Sequence, residues 1–312
     1  MAHGVITVAV NAAVDTTYFL ERLQPGAIHT VRRISRVAGG KANNVARVLH
    51  LLGIPVMATG FAGGPPGTFL QEDLRRLGIA TAFEPIASTT RTCLVLVDEA
   101  SGALTEIREP GPEIRSHEAE RFLQRYTELV AGARAVVLSG SLPPGLPTDF
   151  YAGLTRTARE AGAFVLLDCA GEALRQALPA RPDLVKPNRE ELAAWAGGPL
   201  SGQADPLAAA GAMREQGASA VAVSLGEEGL LYLGPGGAWR CLPPPVTVVN
   251  TVGSGDSLVA GFLAAHLRGQ PIAEALRLGV ACGTANALTD SVASPQESDL
   301  RRLAPAVVIQ PI

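Results

Sequence analysis

The stretch Asn250-Thr251-Val252-Gly253-Ser254-Gly255-Asp256-Ser257 decides how the rest of the chain is read. An extended run rich in Pro and Val, Pro243 to Val249, precedes it. After it, from Leu258 to Leu267, apolar residues recur at helical spacing, with a stop at Gly269. A glycine-rich turn therefore opens a helix. Backbone N–H groups at a helix start are unpaired and lie at the positive end of the dipole. Glycines let an anion approach them closely. A carboxylate beside a bound phosphate makes sense if the phosphoryl is being transferred and the carboxylate takes the proton of the attacking group. Asp256 is thus either an N-cap or a catalytic base, and a short Gly motif alone does not separate the two.

Size and composition set the frame. The chain has 312 residues, 47% apolar and 18% charged, enough for a sizeable core in one large domain or one plus a small accessory. Its formal net charge of −3 gives no reason to expect a nucleic-acid or anionic-membrane partner, so any anion binding must be local. No apolar run reaches the length of a membrane span. Met1 to Asn11 lacks the basic start of a signal peptide and reads as a first strand. Cys93, Cys169, Cys241 and Cys282 have no metal-ligand or CxxC spacing, which suggests reduced thiols in a cytoplasmic protein. Of the 26 basic residues, 24 are arginine; the two lysines are Lys41 and Lys186. Lysine in such a chain points to places that need a compact ammonium.

The chain alternates strand and helix. Gly4 to Val10 is an apolar strand ending in Asn11 and, further on, Asp15, where open α/β sheets bind ligands. On the residues alone Asp15 reads first as a turn residue bonded to its own backbone. Thr16 to Val37 suggests short exposed strands around a Pro25-Gly26 turn. Gly39-Gly40 breaks the chain, and Asn43 to Leu52 reads as an amphipathic helix with Lys41 and Asn44 at its start. Lys41 there is either a ligand or a solvated lysine in an ordinary turn. Val56 to Phe61 predicts a strand, Ala62 to Gly67 a loop, Thr68 to Leu77 a helix and Ile79 to Phe83 a strand. Cys93–Val97 and Leu104–Arg108 form a hairpin that joins Thr16–Val37 in a small sheet, a candidate lid. Helices follow at 118–130, 150–161 and 206–216, with strands at 135–138, 164–167 and 220–224. A β segment is expected from Leu230 to Val249, and a last helix with Pro271 at its first position. The whole predicts a three-layer, doubly wound, mostly parallel sheet.

Common alternatives fail by inspection: there is no GxxxxGK[ST], GxGxxG, HExxH or GxSxG. What the chain does carry is Gly39-Gly40-Lys41-Ala42-Asn43-Asn44-Val45-Ala46 and Thr251-Val252-Gly253-Ser254-Gly255-Asp256-Ser257. These resemble the two signatures of the ribokinase-like (PfkB) carbohydrate kinases. Asn11–Asp15, Thr90-Arg91, Ser139–Gly145, Lys186–Glu191 and Ser224-Leu225-Gly226 fall in that family's order across nearly the whole chain. Thr105-Glu106-Ile107 with Gly111-Pro112 resembles the sugar-phosphate branch, 1-phosphofructokinase and tagatose-6-phosphate kinase.

The resemblance implies a single ribokinase-like α/β domain over residues 1–312, with a lid from about 14–37 and 91–108. It implies that Asp256 is the base and that Gly253, Ser254 and Gly255 hold the transferring phosphoryl. Asp15, Gly39, Gly40 and Asn44 would bind sugar hydroxyls, with Asn43 the alternative to Asn44. Lys41, Arg91 and Arg108, with Ser139 nearby, would hold the phosphate already on the sugar. Lys186, Asn188, Ser224, Gly226, Gly229 and Thr251 would line the ATP site, and Gly283 and Asn286 would lie near the adenine. Glu191 would organise Mg²⁺ through water. The implied activity is ATP-dependent phosphorylation of a ketohexose phosphate. Fructose 1-phosphate leads, followed by tagatose 6-phosphate or fructose 6-phosphate. An unphosphorylated sugar or nucleoside kinase, or a non-catalytic sugar-phosphate sensor, is a further alternative. A homodimer through the lid is also implied, and exposed Tyr18 and Phe19 would suit it.

Overall fold

The computed structural model describes residues 4–200 and 204–312, so Met1–His3 of the expected first strand lie outside the described residues. In chain order the elements are β1 (Val5–Ala9), β2 (Ala13–Leu20), β3 (Arg33–Gly39), α1 (Lys41–Leu51), β4 (Val56–Ala62), α2 (Gly64–Arg76), β5 (Ala80–Pro85), β6 (Arg91–Asp98), β7 (Leu104–Arg108) and α3 (Ser116–Val130). There follow β8 (Ala135–Ser139), α4 (Phe150–Glu160), β9 (Phe164–Asp168), α5 (Gly171–Ala177), β10 (Leu184–Val185), α6 (Arg189–Ala196), α7 (Ala204–Glu215) and β11 (Ala220–Ser224). The chain closes with β12 (Leu230–Gly234), β13 (Gly237–Leu242), α8 (Ser254–Leu267), α9 (Ile272–Asn286), α10 (Glu297–Leu303) and β14 (Val308–Pro311).

Ten strands form the main sheet in the order β14-β13-β12-β11-β10-β9-β8-β1-β4-β5. From β5 to β11 all neighbours are parallel; β12, β13 and β14 add an antiparallel edge. Strands buried on both faces must be apolar throughout, and β1 and β8 are fully buried along their length. Side chains alternate between two cores. Ile6, Val8, Val136, Leu138, Val165 and Leu167 pack under α3 to α7. Val5, Ala135, Val137 and Leu166 pack under α1, α8, α9 and α10. This is the three-layer α/β arrangement that alternation in the sequence predicts. Among the described residues, no helix is long and apolar enough to cross a membrane.

A separate four-stranded sheet, in the order β3-β2-β6-β7, stands apart from the main one. Its register places Val37, Asp15, Cys93 and Arg108 side by side on one face. Ile34, Tyr18 and Leu96 lie together on the other. Phe19 is not exposed as expected: it is 5% accessible, because Arg33 lies 3.5 Å over its ring. Tyr18 is half-buried. The exposed apolar side chains of this sheet are Ile34, Leu104 and Ile107.

Boundaries differ in three informative places. The Pro65-Pro66 stretch expected as loop is the first turn of α2, where proline costs nothing because those N–H groups have no helical partner. The β segment expected to reach Val249 ends at Leu242, since Pro243-Pro244-Pro245 removes three successive donors. Pro271 is the N-cap of α9 rather than its first residue.

Candidate functional site

Five adjacent parallel strands deliver polar groups from their carboxyl ends to one edge of the main sheet. Asn11 follows β1, Ser139 ends β8, Asp168 ends β9, Lys186 and Asn188 follow β10, and Ser224 ends β11. The small sheet covers this edge with Asp15, Arg91 and Arg108, and α8 contributes its N-terminal turn. Together they enclose a single cleft of about 1440 Å³. Every residue expected to be functional lines it except Gly39 and Asn286.

The turn into α8 is built for close approach. Gly253 has φ +83°, and a Cβ there would stand 2.9 Å from the amide N of Ala293. Gly253, not Asp256, is the N-cap, and no side chain caps this helix. Asp256, in the first turn, is 6% exposed, and its Oδ2 accepts a hydrogen bond from Asn44 Nδ2 at 2.8 Å. The N-cap reading therefore fails. Burial, with the charge of Asp168 behind it, raises the Asp256 carboxyl to about 6 against the pull of Lys41, Asn44 and Lys186. A base poised there is ionised at neutral pH yet still takes up a proton.

Both lysines of the chain converge on one carboxylate. Lys41 Nζ lies 3.1 Å from Asp168 Oδ1, and Lys186 Nζ lies 3.5 Å from Asp168 Oδ2. Asp168 is wholly inaccessible. Burial alone would push its carboxyl up, but Lys186 and Lys41 outweigh that and hold it below the usual range. Lys41 also reaches Glu191 Oε1 at 3.4 Å. Burial works against its charge, yet Asp168, Glu191 and Asp256 more than compensate and keep the ammonium protonated. Lys41 is thus neither a solvated turn lysine nor a neighbour of Arg91 alone; it faces the carboxylates at the centre of the cleft. Asp168 was not singled out in the sequence. The one signal that bears on it is the pair of lysines in an arginine-rich chain, each needing an acid partner once buried.

Asn188 and Glu191 lock each other in a capping box at the start of α6. Glu191 N donates to Asn188 Oδ1 at 2.7 Å, and Asn188 N donates to Glu191 Oε2 at 2.9 Å. This leaves Glu191 Oε1 turned to Lys41. Gly226 and Gly229 hold φ of +61° and +87°, and a Cβ at Gly229 would collide with the carbonyl O of Cys241 at 1.9 Å. Gly283 lines the cleft, and also lets α9 lie against α8: a Cβ there would stand 3.0 Å from Ser254 O. Asn286 is fully buried behind the turn instead of lining the cleft. It donates to Val252 O at 2.9 Å and to Ser254 Oγ at 3.2 Å, so it braces the turn.

The small sheet and the start of α1 also line the cleft. Gly39 is glycine because the Asp15 carboxylate fills the space of its missing Cβ, within 2.1–2.3 Å of it. Burial raises the Asp15 carboxyl to about 6, against the nearby Arg91 guanidinium. Asn43 turns inward and donates to Gly39 O at 2.7 Å, leaving Asn44 as the asparagine that lines the cleft. Arg91 donates to Asn11 O and Glu109 O, each at 3.1 Å, and its buried Nε has no partner. Arg108 is gripped by the Glu106 carboxylate through two bonds of 2.7 Å. Asn11 Oδ1 and Ser139 Oγ are buried without partners, so this wall has unused hydrogen-bonding capacity.

The chain is similar in structure to Escherichia coli phosphofructokinase-2 in complex with fructose-6-phosphate. The two are 29% identical over 98% of this chain and 99% of that one, with a TM-score of 0.90. It is similar to a Thermotoga maritima protein described as a possible 1-phosphofructokinase, at 26% identity, 99% coverage of both chains and a TM-score of 0.87. Arabidopsis thaliana ribokinase complexed with ribose and ATP shares the fold, at 24% identity over 97% of this chain and 99% of that one, with a TM-score of 0.78. The family model for pfkB family carbohydrate kinases matches residues 8–299. A buried carboxylate at a glycine-rich helix start, within a match of that length, leads to one conclusion: the chain belongs to the pfkB family and is a carbohydrate kinase.

Proposed function

We propose that this kinase transfers the γ-phosphoryl of ATP to a ketohexose phosphate, with fructose 1-phosphate as the first choice and its 6-hydroxyl as acceptor. The observation that carries this reading is the position of Asp256. It lines one cleft together with Lys41, Lys186 and the turn into α8, and with Asp15, Arg91 and Arg108, and Asn44 holds its carboxylate. ATP lies along Lys186, Asn188, Ser224, Gly226, Gly229, Thr251 and Gly283. The amides of Gly253, Ser254 and Gly255 receive the transferring phosphoryl, as donors fixed before the reaction begins. Asp256 takes the proton of the attacking hydroxyl. Asp15 and Asn44 orient the sugar. Arg91, Arg108 and Ser139 hold its phosphate, and the forked guanidinium suits that task. Lys41 bridges the two halves, close to Asp256 and Asp168.

Mg²⁺, when bound, would supply neutralisation of the phosphates' negative charge. Glu191 Oε1 and Asp168 suit such an ion as oxygen donors. Among the described residues no group of three or more His, Cys, Asp or Glu side chains forms a metal cluster.

The small sheet acts as a lid that excludes water and so limits ATP hydrolysis. Its outer face, with Ile34 48% and Ile107 49% exposed, is the surface for pairing with a second copy. Escherichia coli phosphofructokinase-2 has a structure described as a tetrameric inhibited form, so oligomers occur in that relative.

The neighbours named for fructose-6-phosphate and for 1-phosphofructokinase frame the substrate question. A panel of fructose 1-phosphate, fructose 6-phosphate, tagatose 6-phosphate, fructose and ribose, scored for ADP release, tests the proposal. Turnover is expected with a phosphorylated ketose. ADP release with fructose or ribose alone would overturn it.

A further inference from the structure

Behind the cleft, and outside its lining, a buried ion pair grips the joint where lid strand β3 becomes helix α1. Arg47, on α1, pairs through Nη2 with Asp73 Oδ2 on α2, and each side chain is 10% exposed. Both partners also reach one residue of backbone. Asp73 Oδ2 accepts from the amide N of Ala38 at 2.8 Å. Arg47 Nη2 and Nε donate to the carbonyl O of Ala38 at 3.2 and 3.4 Å. Ala38 is therefore held on both sides by one charge pair. The next residue, Gly39, packs against the Asp15 carboxylate at contact distance. Six residues beyond Ala38, Asn44 meets Asp256.

We propose that Arg47 and Asp73 are positioning residues. They touch no lining group, but by fixing Ala38 they set where Asp15 meets the sugar and where α1 presents Asn44 to the base. A hydrophobic contact would bury equal area without fixing direction; a forked guanidinium and a carboxylate bonded to the amide and carbonyl of one residue fix it. Nothing in this clamp reaches the Ser224–Gly229 side of the cleft. Its loss should therefore weaken sugar binding and leave ATP binding alone.

The proposal rests on the sugar side being the Asp15 side, and its test separates the two ideas. Breaking a buried pair at one end strands a charge, so the informative variant is the double Arg47→Met/Asp73→Ala, which leaves no buried charge; Arg76, which also bonds Asp73 at 3.1 Å, is 66% exposed and stays solvated. Its expected sugar-phosphate KM is tenfold or more above wild type, with the ATP KM within twofold. Asp73→Asn keeps an acceptor for the Ala38 amide and should hold the sugar KM within about threefold. Hydrogen exchange at the Ala38 amide supplies a readout that needs no substrate. Exchange should be at least tenfold faster in the double variant and near wild type in Asp73→Asn. A double variant with both KM values unchanged, with both raised equally, or with a still-protected Ala38 amide overturns the clamp. A wild-type enzyme that ignores every sugar phosphate overturns the proposed substrate instead, and amide exchange then decides the clamp.

Discussion

Replacing Asp256 with Asn separates chemistry from folding in one variant. The two side chains have the same shape, and Asn keeps an oxygen to accept the 2.8 Å bond from Asn44. What disappears is a negative charge in a site only 6% exposed. The carboxyl rises from 3.8 in an unfolded chain to about 6 in the fold, mainly through burial. At ~1.4 kcal/mol per tenfold change in proton affinity, that is a cost of roughly 3 kcal/mol when the group is ionised. The folded state binds this proton more tightly than the unfolded state, so wild-type stability falls as pH rises from about 4 to about 6 and stays lower above. Asn carries no such cost. With unfolding entropy near ~2.1 cal/mol/K per residue, roughly 3 kcal/mol in a chain this long corresponds to a Tm rise of ~5 °C at pH 8. The gain should shrink toward zero near pH 4. Turnover should fall by ~10²–10⁴, the range for losing a general base. Thermal melts at pH 8 and pH 4.5, paired with ADP release, read both effects. A variant within tenfold of wild-type turnover, or one less stable than wild type at pH 8, would refute the reasoning.

Further expectations concern the rest of the cleft. Asp15 and Asp256 are both raised to about 6, chiefly by burial, and the proposed reaction uses both ionised. A kcat/KM profile against pH should therefore bend down below about 6, with a limiting slope between one and two; a flat profile to pH 5 contradicts this. Asp168→Asn leaves Lys41 and Lys186 without their shared counter-charge. Stability should drop by about 3–5 kcal/mol, as for breaking other buried pairs, and urea melts at pH 7 with an unchanged midpoint would rule that out. Arg91→Ala should raise the KM for the phosphorylated sugar at least tenfold while the ATP KM moves less than twofold, and steady-state kinetics with either substrate varied will show whether the two effects differ.

Much of this was legible in the chain before any coordinates. Glycine punctuation and strand-end polar groups carried the α/β order, because each signal is local: a turn needs its glycine where it stands. The gathering of Lys41, Asn44, Arg91, Lys186 and Asp256 in one cleft was implied by motif order. Other features depended on distant partners and stayed hidden. Asp168 is a strand-end acid like many others until the fold brings both lysines to it. Asp73 looks like an ordinary helical residue until Ala38 and Arg47 close around it. Asn286 was expected near the adenine by the resemblance, yet its side chain is spent on Val252 and Ser254. The strand β14 went unread because a four-residue edge strand following a short helix has almost no periodic signal.

Phosphoryl transfer from ATP to a phosphorylated ketose at Asp256 is the proposed reaction. Its most direct test is phosphorus NMR of a mixture of the enzyme, MgATP and fructose 1-phosphate. ADP and a second sugar phosphomonoester should appear in equal amounts, and both should form at least ~10²-fold more slowly with Asp256→Asn. Inorganic phosphate accumulating in place of the bisphosphate, or unaltered product formation by the variant, would contradict it.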